Sequence, residues 1–282
     1  MAKAFRSNVV VTTAPISPGL VTHTLFDKTY VDFSGSPIDE FTRRLRNLNS
    51  LAPKPLDFDP YLGQLVLLGA VAAVESFLRA IFRRSISLDH LCGEQVMKRE
   101  ISYAAAMHLG HELLPEALLE RISFTSQKNI EDACRDLLGV TGDFPQSLKS
   151  VIKDYIRICH LRHCAVHRFG KLGANNAVFL GIDEHAGLLE KPLLLNYVAL
   201  QSAIAIATAF VRVFNSFVFN ALLSRLPITH FSGDYKADKK KFVAYYSLFQ
   251  DKESMVRSPA PKNAYQEFMK ERSVFLGQKK AP

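Results

Sequence analysis

The sequence predicts an all-α fold: a helical bundle with an extended N-terminal arm and a basic C-terminal helical extension. Three observations lead there. Leu148, Ile152, Tyr155, Cys159 and Val166 recur at helical spacing, in a stretch that runs from Pro145 to Lys171 with no internal Gly or Pro until Gly170. Gly110 and Gly139 bound shorter segments at 88–97, 100–109, 112–122 and 127–138, each of helical length, with Gly93 inside the first. Hydrophobic residues make up 48% of the 282 positions, enough to build a sizeable core.

Taken in order, residues 1–35 form the arm. Val9-Val10-Val11 and Tyr30-Val31-Asp32-Phe33 read as extended chain, either a plain arm or a short hairpin. The helical domain covers 36–226. It opens on Ser36-Pro37-Ile38-Asp39, with Ser as N-cap, Pro in the first turn and an acid three residues on, and this helix runs to about Asn49. Asp59-Pro60 starts a second helix through Glu75 to Arg84. After the stretch ending at Lys171, the turn-forming Gly173, Asn175, Asn176 and Gly181 predict a loop, with Ala177 to Ile182 extended. The last long helix runs from Leu193 to Leu226. Its first 19 positions, to Val211, carry no charge, which is long enough to span a bilayer and equally what the centre of a bundle requires. We read it as a core helix with no membrane. Residues 227–282 form the basic extension, loosely ordered after Arg257, where Pro259 and Pro261 fall.

A net charge of +8 and a pI near 9.3 favour polyanionic partners, RNA among them. Cys92, Cys134, Cys159 and Cys164 are scattered, with no Cys-x-x-Cys, so no disulfide framework is expected. Lys3 and Arg6 are followed by no continuous apolar run of the kind a secretory signal needs, and the expected location is the cytoplasm.

One pattern carries chemistry. Arg162 is followed five positions later by His167, and 17 arginines with 9 histidines would produce such a spacing about half a time by chance. A second match, Arg225 to His230, is interrupted by Pro227, which cannot continue a helix. At about 100° per residue, Arg162 and His163 lie on the two shoulders of the apolar stripe, with His167 further round on the side of His163. The opposite face carries Lys149, Lys153, Arg157, His160 and Arg168, a basic strip from which Lys153, Arg157 and Arg168 are candidate RNA contacts. A guanidinium offers a planar fork of donors for phosphate oxygens, and an imidazole exchanges protons near neutral pH. In the extension, Lys239-Lys240-Lys241 precedes Phe242, Tyr245, Tyr246 and Phe249. Such interleaving suits single-stranded nucleic acid, and it also suits an amphipathic helix whose rings dock on the bundle.

Arg162-His163-x-x-x-His167, followed by Arg168-Phe169-Gly170 on a late helix of an all-helical domain, resembles the signature of the HEPN superfamily. The resemblance covers 36–226, and its specificity lies in Arg162 to Gly170. It implies a metal-independent endoribonuclease without cofactors, in which a ribose 2′-hydroxyl attacks the adjacent phosphate to leave a cyclic or 3′-phosphate and a 5′-hydroxyl end. It implies that Arg162 holds the phosphate, that His167 moves the proton and that His163 assists. An acid on an earlier helix often accompanies the motif, and Glu75 would fill that place. The family further implies a homodimer with a composite active site and the role of a toxin or anti-phage defence effector, with an antitoxin or defence-system partner. Three other readings stand beside these. Glu75 has Arg79 four residues on and would make an ordinary helix ion pair. Cys159, His163 and His167, or His160, Cys164 and His167, have a helical zinc-ligand spacing. The chain would otherwise be a catalytically inactive HEPN-like dimeric scaffold that binds RNA, a nucleotide or a protein.

Overall fold

The computed structural model describes residues 6–278; the first five residues and the Lys-rich end after Gln278 lie outside the described residues. Eleven α-helices and no β-strand occur among the described residues, so the fold is all-α. Two compact units divide at Ser34 and Gly35. The first is extended chain with one short 3-10 turn at Thr22–Leu25.

The second unit begins with α1 (Pro37–Ser50). The Ser36 hydroxyl accepts from the Asp39 amide, which satisfies one of the free amides at the helix start. α2 (Pro60–Leu88) starts the same way, with Asp59 accepting from Tyr61 at 2.8 Å. Four shorter helices follow: α3 (His90–Val96), α4 (Tyr103–His108), α5 (Leu114–Leu119) and α6 (Gln127–Leu138). α7 (Gln146–Arg168) carries the motif. α8 (Ala174–His185), α9 (Tyr197–Ser224), α10 (Tyr235–Phe249) and α11 (Pro261–Gln278) complete the unit.

The centre is a three-helix layer of α2, α7 and α9. Tyr155 of α7 stacks on Phe210 of α9 with centroids 4.6 Å apart, and Phe214 of α9 meets Phe77 and Phe82 of α2 at 6.4 and 6.1 Å. Contacts along the axis fix the directions. Phe144, just before α7, touches Phe217 late in α9, whereas the Gly170 carbonyl just after α7 accepts from the Leu193 amide ahead of α9. α7 is therefore antiparallel to α9. α2 runs parallel to α9, because the Gln64 amide donates to the Leu193 carbonyl at its start and Asp89 meets Arg225 at its end. Both α2 and α9 are long and apolar enough to cross a membrane by length and composition, with 61% and 39% of their apolar windows buried in the bundle. Their packing on each other and on α7 is what central bundle helices show.

Two expectations from the sequence are corrected. The segment 177–182, expected to be extended, lies in α8, which kinks at Gly181 (φ 113°, ψ 99°), so the turn expected at that glycine is present while the extended chain is not. Its asparagines are not turn residues here: Asn176 is buried, and its amide group bonds His160 and Cys164 of α7. The chain after Arg257, expected to be loose, forms the 18-residue α11. Pro261 occupies its first turn, a position that tolerates the missing amide, and Tyr265 is buried against Phe242 with its hydroxyl on Asp238.

Candidate active site

α7 positions the motif because its buried stripe locks the helix rotation. Leu148, Ile152, Tyr155 and Cys159 are all buried, which leaves Arg162 half-buried at the edge and His163 and His167 in solvent. The two imidazoles lie one turn apart on the same side, with ring centroids 4.6 Å apart. Partial burial, with His167, His160 and Arg162 as cationic neighbours, holds His163 below the usual imidazole value. His163 therefore stays neutral, and able to accept a proton, to a lower pH than a free imidazole.

Glu75 reaches the same region from α2. Both Glu75 and Arg162 act electrostatically on Cys159 and on Tyr155. Neither makes a hydrogen bond or an ion pair among the described residues. Glu75 does not pair with Arg79, which is turned instead to Glu116 at 3.1 Å and the Ile122 carbonyl at 3.3 Å. The ordinary helix ion pair does not form, and the Glu75 carboxylate is left near Cys159 and Tyr155, where Arg162 also acts. Tyr155 is fully buried with its hydroxyl against the Cys159 thiol, and burial pushes it well above the usual phenol value.

The basic strip divides. Lys153 and Arg157 face solvent, Arg157 with Asp154 at 3.4 Å. Arg168 is paired with Glu190. His160 is not part of the strip: its ring stacks on Phe179 of α8 at 3.9 Å and its Nδ1 meets the Asn176 carbonyl oxygen at 2.8 Å. Lys239, Lys240 and Lys241 are exposed on α10. The rings that follow them, Phe242, Tyr246 and Phe249, are core residues, and Phe242 and Tyr246 pack on Phe219 near the end of α9. At 1.5 Å per residue the α10 lysines stand about 25 Å along the bundle from the motif. They belong to a separate surface.

The zinc geometries do not form. Cys159 is buried while His163 and His167 are exposed, so the three do not turn toward one point. Among the described residues no three His, Cys, Asp or Glu side chains converge where they could hold a metal ion.

Beyond the motif the sequence reading missed a corner. α7 ends with Phe169 in the left-handed region (φ 50°, ψ 44°), and the Gly170 amide bonds back to the Cys164 carbonyl at 3.0 Å. This six-residue return closes helices that normally carry Gly at the left-handed position. Gly170, at φ 89°, is also required, because a Cβ there would stand 3.3 Å from the Gln64 side chain. Lys171 and Leu172 then pair antiparallel with Lys191 and Pro192, which ties the turn to the entry of α9. Only Gly170 signalled this turn in the sequence. No protein-family model matches the chain, and neither a curated protein nor a solved structure matches it.

Proposed function

We propose that this chain is a metal-independent endoribonuclease of the HEPN type, acting in the cytoplasm as a homodimer and serving as a toxin or anti-phage effector. One observation carries the reading: a half-exposed guanidinium, held by no partner among the described residues, stands on the same helix as two exposed imidazoles 4.6 Å apart. A guanidinium held only for stability is ordinarily paired. In the reaction, the 2′-hydroxyl gives its proton to an imidazole as its oxygen bonds phosphorus. The bond from phosphorus to the 5′-oxygen breaks, and that oxygen takes up a proton. Arg162 faces the charge that builds on the non-bridging oxygens.

The imidazole spacing also supports the dimer. In-line displacement places the attacking and leaving oxygens on opposite sides of phosphorus. Two rings packed side by side on one helix reach the same side of the phosphate. The group on the other side then comes from a second copy, whose His167 donates the proton while His163 positions the phosphate. Val166 of α7, within the motif and 46% exposed, supplies apolar surface for such a contact.

The test uses the purified full chain, single-stranded and structured RNA, and a strong chelator. Cleavage leaving 5′-hydroxyl ends is expected, falling about 10²–10³-fold in Arg162→Ala and about 10²–10⁴-fold in His167→Ala. Replacing the ribose at the cut by 2′-deoxyribose should abolish it. A fully active His167→Ala protein sinks the mechanism, and a wild-type chain that binds RNA without cutting favours the inactive scaffold.

A further inference from the structure

The geometry points to Phe169 and Tyr61 as a stacking platform for an unpaired nucleobase next to the scissile phosphate, which makes single-stranded or looped-out RNA the substrate class. The choice of ligand rests on the ribonuclease reading above. Phe169 follows His167 by two residues, and its ring is 82% exposed. Tyr61, from the first turn of α2, is 64% exposed, and the two centroids are 6.1 Å apart at 44°. Two large rings from different helices thus meet in solvent at the end of the motif.

Core formation explains neither ring. An aromatic residue in the left-handed region is strained, and such strain is normally offset by packing that Phe169 lacks. Glu190, the other non-glycine with positive φ among the described residues, is at φ 61° on the facing segment of the same turn, where it holds Arg168. Both left-handed side chains therefore shape one corner. Around Phe169 the chain carries Arg162, His163, His167 and Lys171 with no acid from Tyr155 to Ile182, while Arg168 is paired with Glu190 and Arg157 with Asp154. An RNA strand brings negative phosphates to the cations and a π face to each ring, and stacking of this kind is indifferent to base identity.

The probe is a single-stranded hexanucleotide with 2-aminopurine beside a 2′-deoxy position that cannot be cut, titrated with the full-length chain. Stacking should quench the fluorophore. Phe169→Gly suits the left-handed backbone, so it removes the ring without disturbing the fold, and it should weaken binding about tenfold and lose the quench. Phe169→Trp should keep both, and a duplex carrying the same base should bind more weakly than the single strand. Wild-type protein that fails to bind or quench overturns the proposal, as does Phe169→Gly with wild-type quenching. Loss of dimer in Phe169→Gly with an unchanged quench assigns the ring to a second copy and also overturns it. Quenching without cleavage of an all-ribose strand removes the nuclease reading and leaves the platform. Cleavage with a quench indifferent to Phe169 does the reverse.

Discussion

The chain contains the same spacing twice, Arg162 to His167 and Arg225 to His230, and the structure uses the two arginines in opposite ways. Arg225 sits at the end of α9 and is spent on the fold. Its guanidinium meets the Asp89 carboxylate, the Leu138 carbonyl at the end of α6 and the Cys92 sulfur. Asp89 in turn caps α3 and accepts from the Tyr245 hydroxyl of α10 at 2.9 Å. One buried cluster therefore joins the ends of α2, α6 and α9 to α10. Burial pushes the Cys92 thiol within it up to about 12, so the thiol is inert. Arg162 has none of these partners. Spacing alone does not separate the two, whereas engagement of the guanidinium does.

Exchanging the roles is the strongest way to break this comparison. Arg225→Ala leaves Asp89, 2% exposed, as an uncompensated buried charge and should cost about 3–5 kcal/mol of stability. Arg162→Ala should cost no more than about 0.5 kcal/mol, because it removes no pairing. Urea unfolding of both variants, read by circular dichroism, decides it. Equal losses would mean that Arg162 is structural too. Adding Asp89→Asn to an Arg225→Met chain keeps the α3 cap and removes the buried charge, and should recover part of the loss.

The histidines sharpen the contrast through pH. Burial lowers both His163 and His230, with cationic neighbours adding to each, Lys241 and Arg272 in the second case. A depressed imidazole takes up its proton only below the ordinary value near 6.5. Folded protein therefore loses stability to the unfolded chain as pH falls through 6.5 towards the folded value, at both sites. Only His163 should also write itself into catalysis. His163→Gln, which removes the ring 4.6 Å from His167, should move the acid limb of the cleavage profile, and His230→Gln should leave it where it is. A limb unmoved in His163→Gln would reduce that residue to a spacer.

What the sequence made legible was local. Ser36-Pro37 and Asp59-Pro60 mark the starts of α1 and α2 because the capping side chain lies within three residues of the amide it serves. The α7 stripe places Arg162 at the edge of the core and His167 outside it, because helix rotation follows from which residues are apolar, whereas His163, expected on the other shoulder, and Val166, expected in the stripe, are exposed. Non-local partners decided what was missed. Asn176 looks like a turn residue until His160 and Cys164, 16 and 12 positions away, take up its amide. α11 depends on Tyr265 reaching Asp238 across 27 positions, and Arg79 chose Glu116 over the nearer Glu75. The aromatic corner was hidden for a different reason. Phe169-Gly170 reads as a helix followed by its glycine stop, yet the residue in the left-handed conformation is the phenylalanine.

That exchange yields the smallest and cleanest contrast between structural and functional ends of helices. α6 stops on Gly139 at φ 66°, beside the Arg225 cluster, and a Cβ there would meet nothing closer than 3.5 Å. Gly139→Ala should therefore cost only the backbone penalty, about 1 kcal/mol. α7 stops on Phe169 at φ 50°, where Phe169→Gly removes the same penalty and should stabilise the fold by up to about 1 kcal/mol. Thermal unfolding with opposite signs for the two substitutions is the expected result. A Phe169→Gly chain that is less stable than wild type would mean that the ring is packed for the fold after all. A more stable one shows strain retained at the motif for something other than folding.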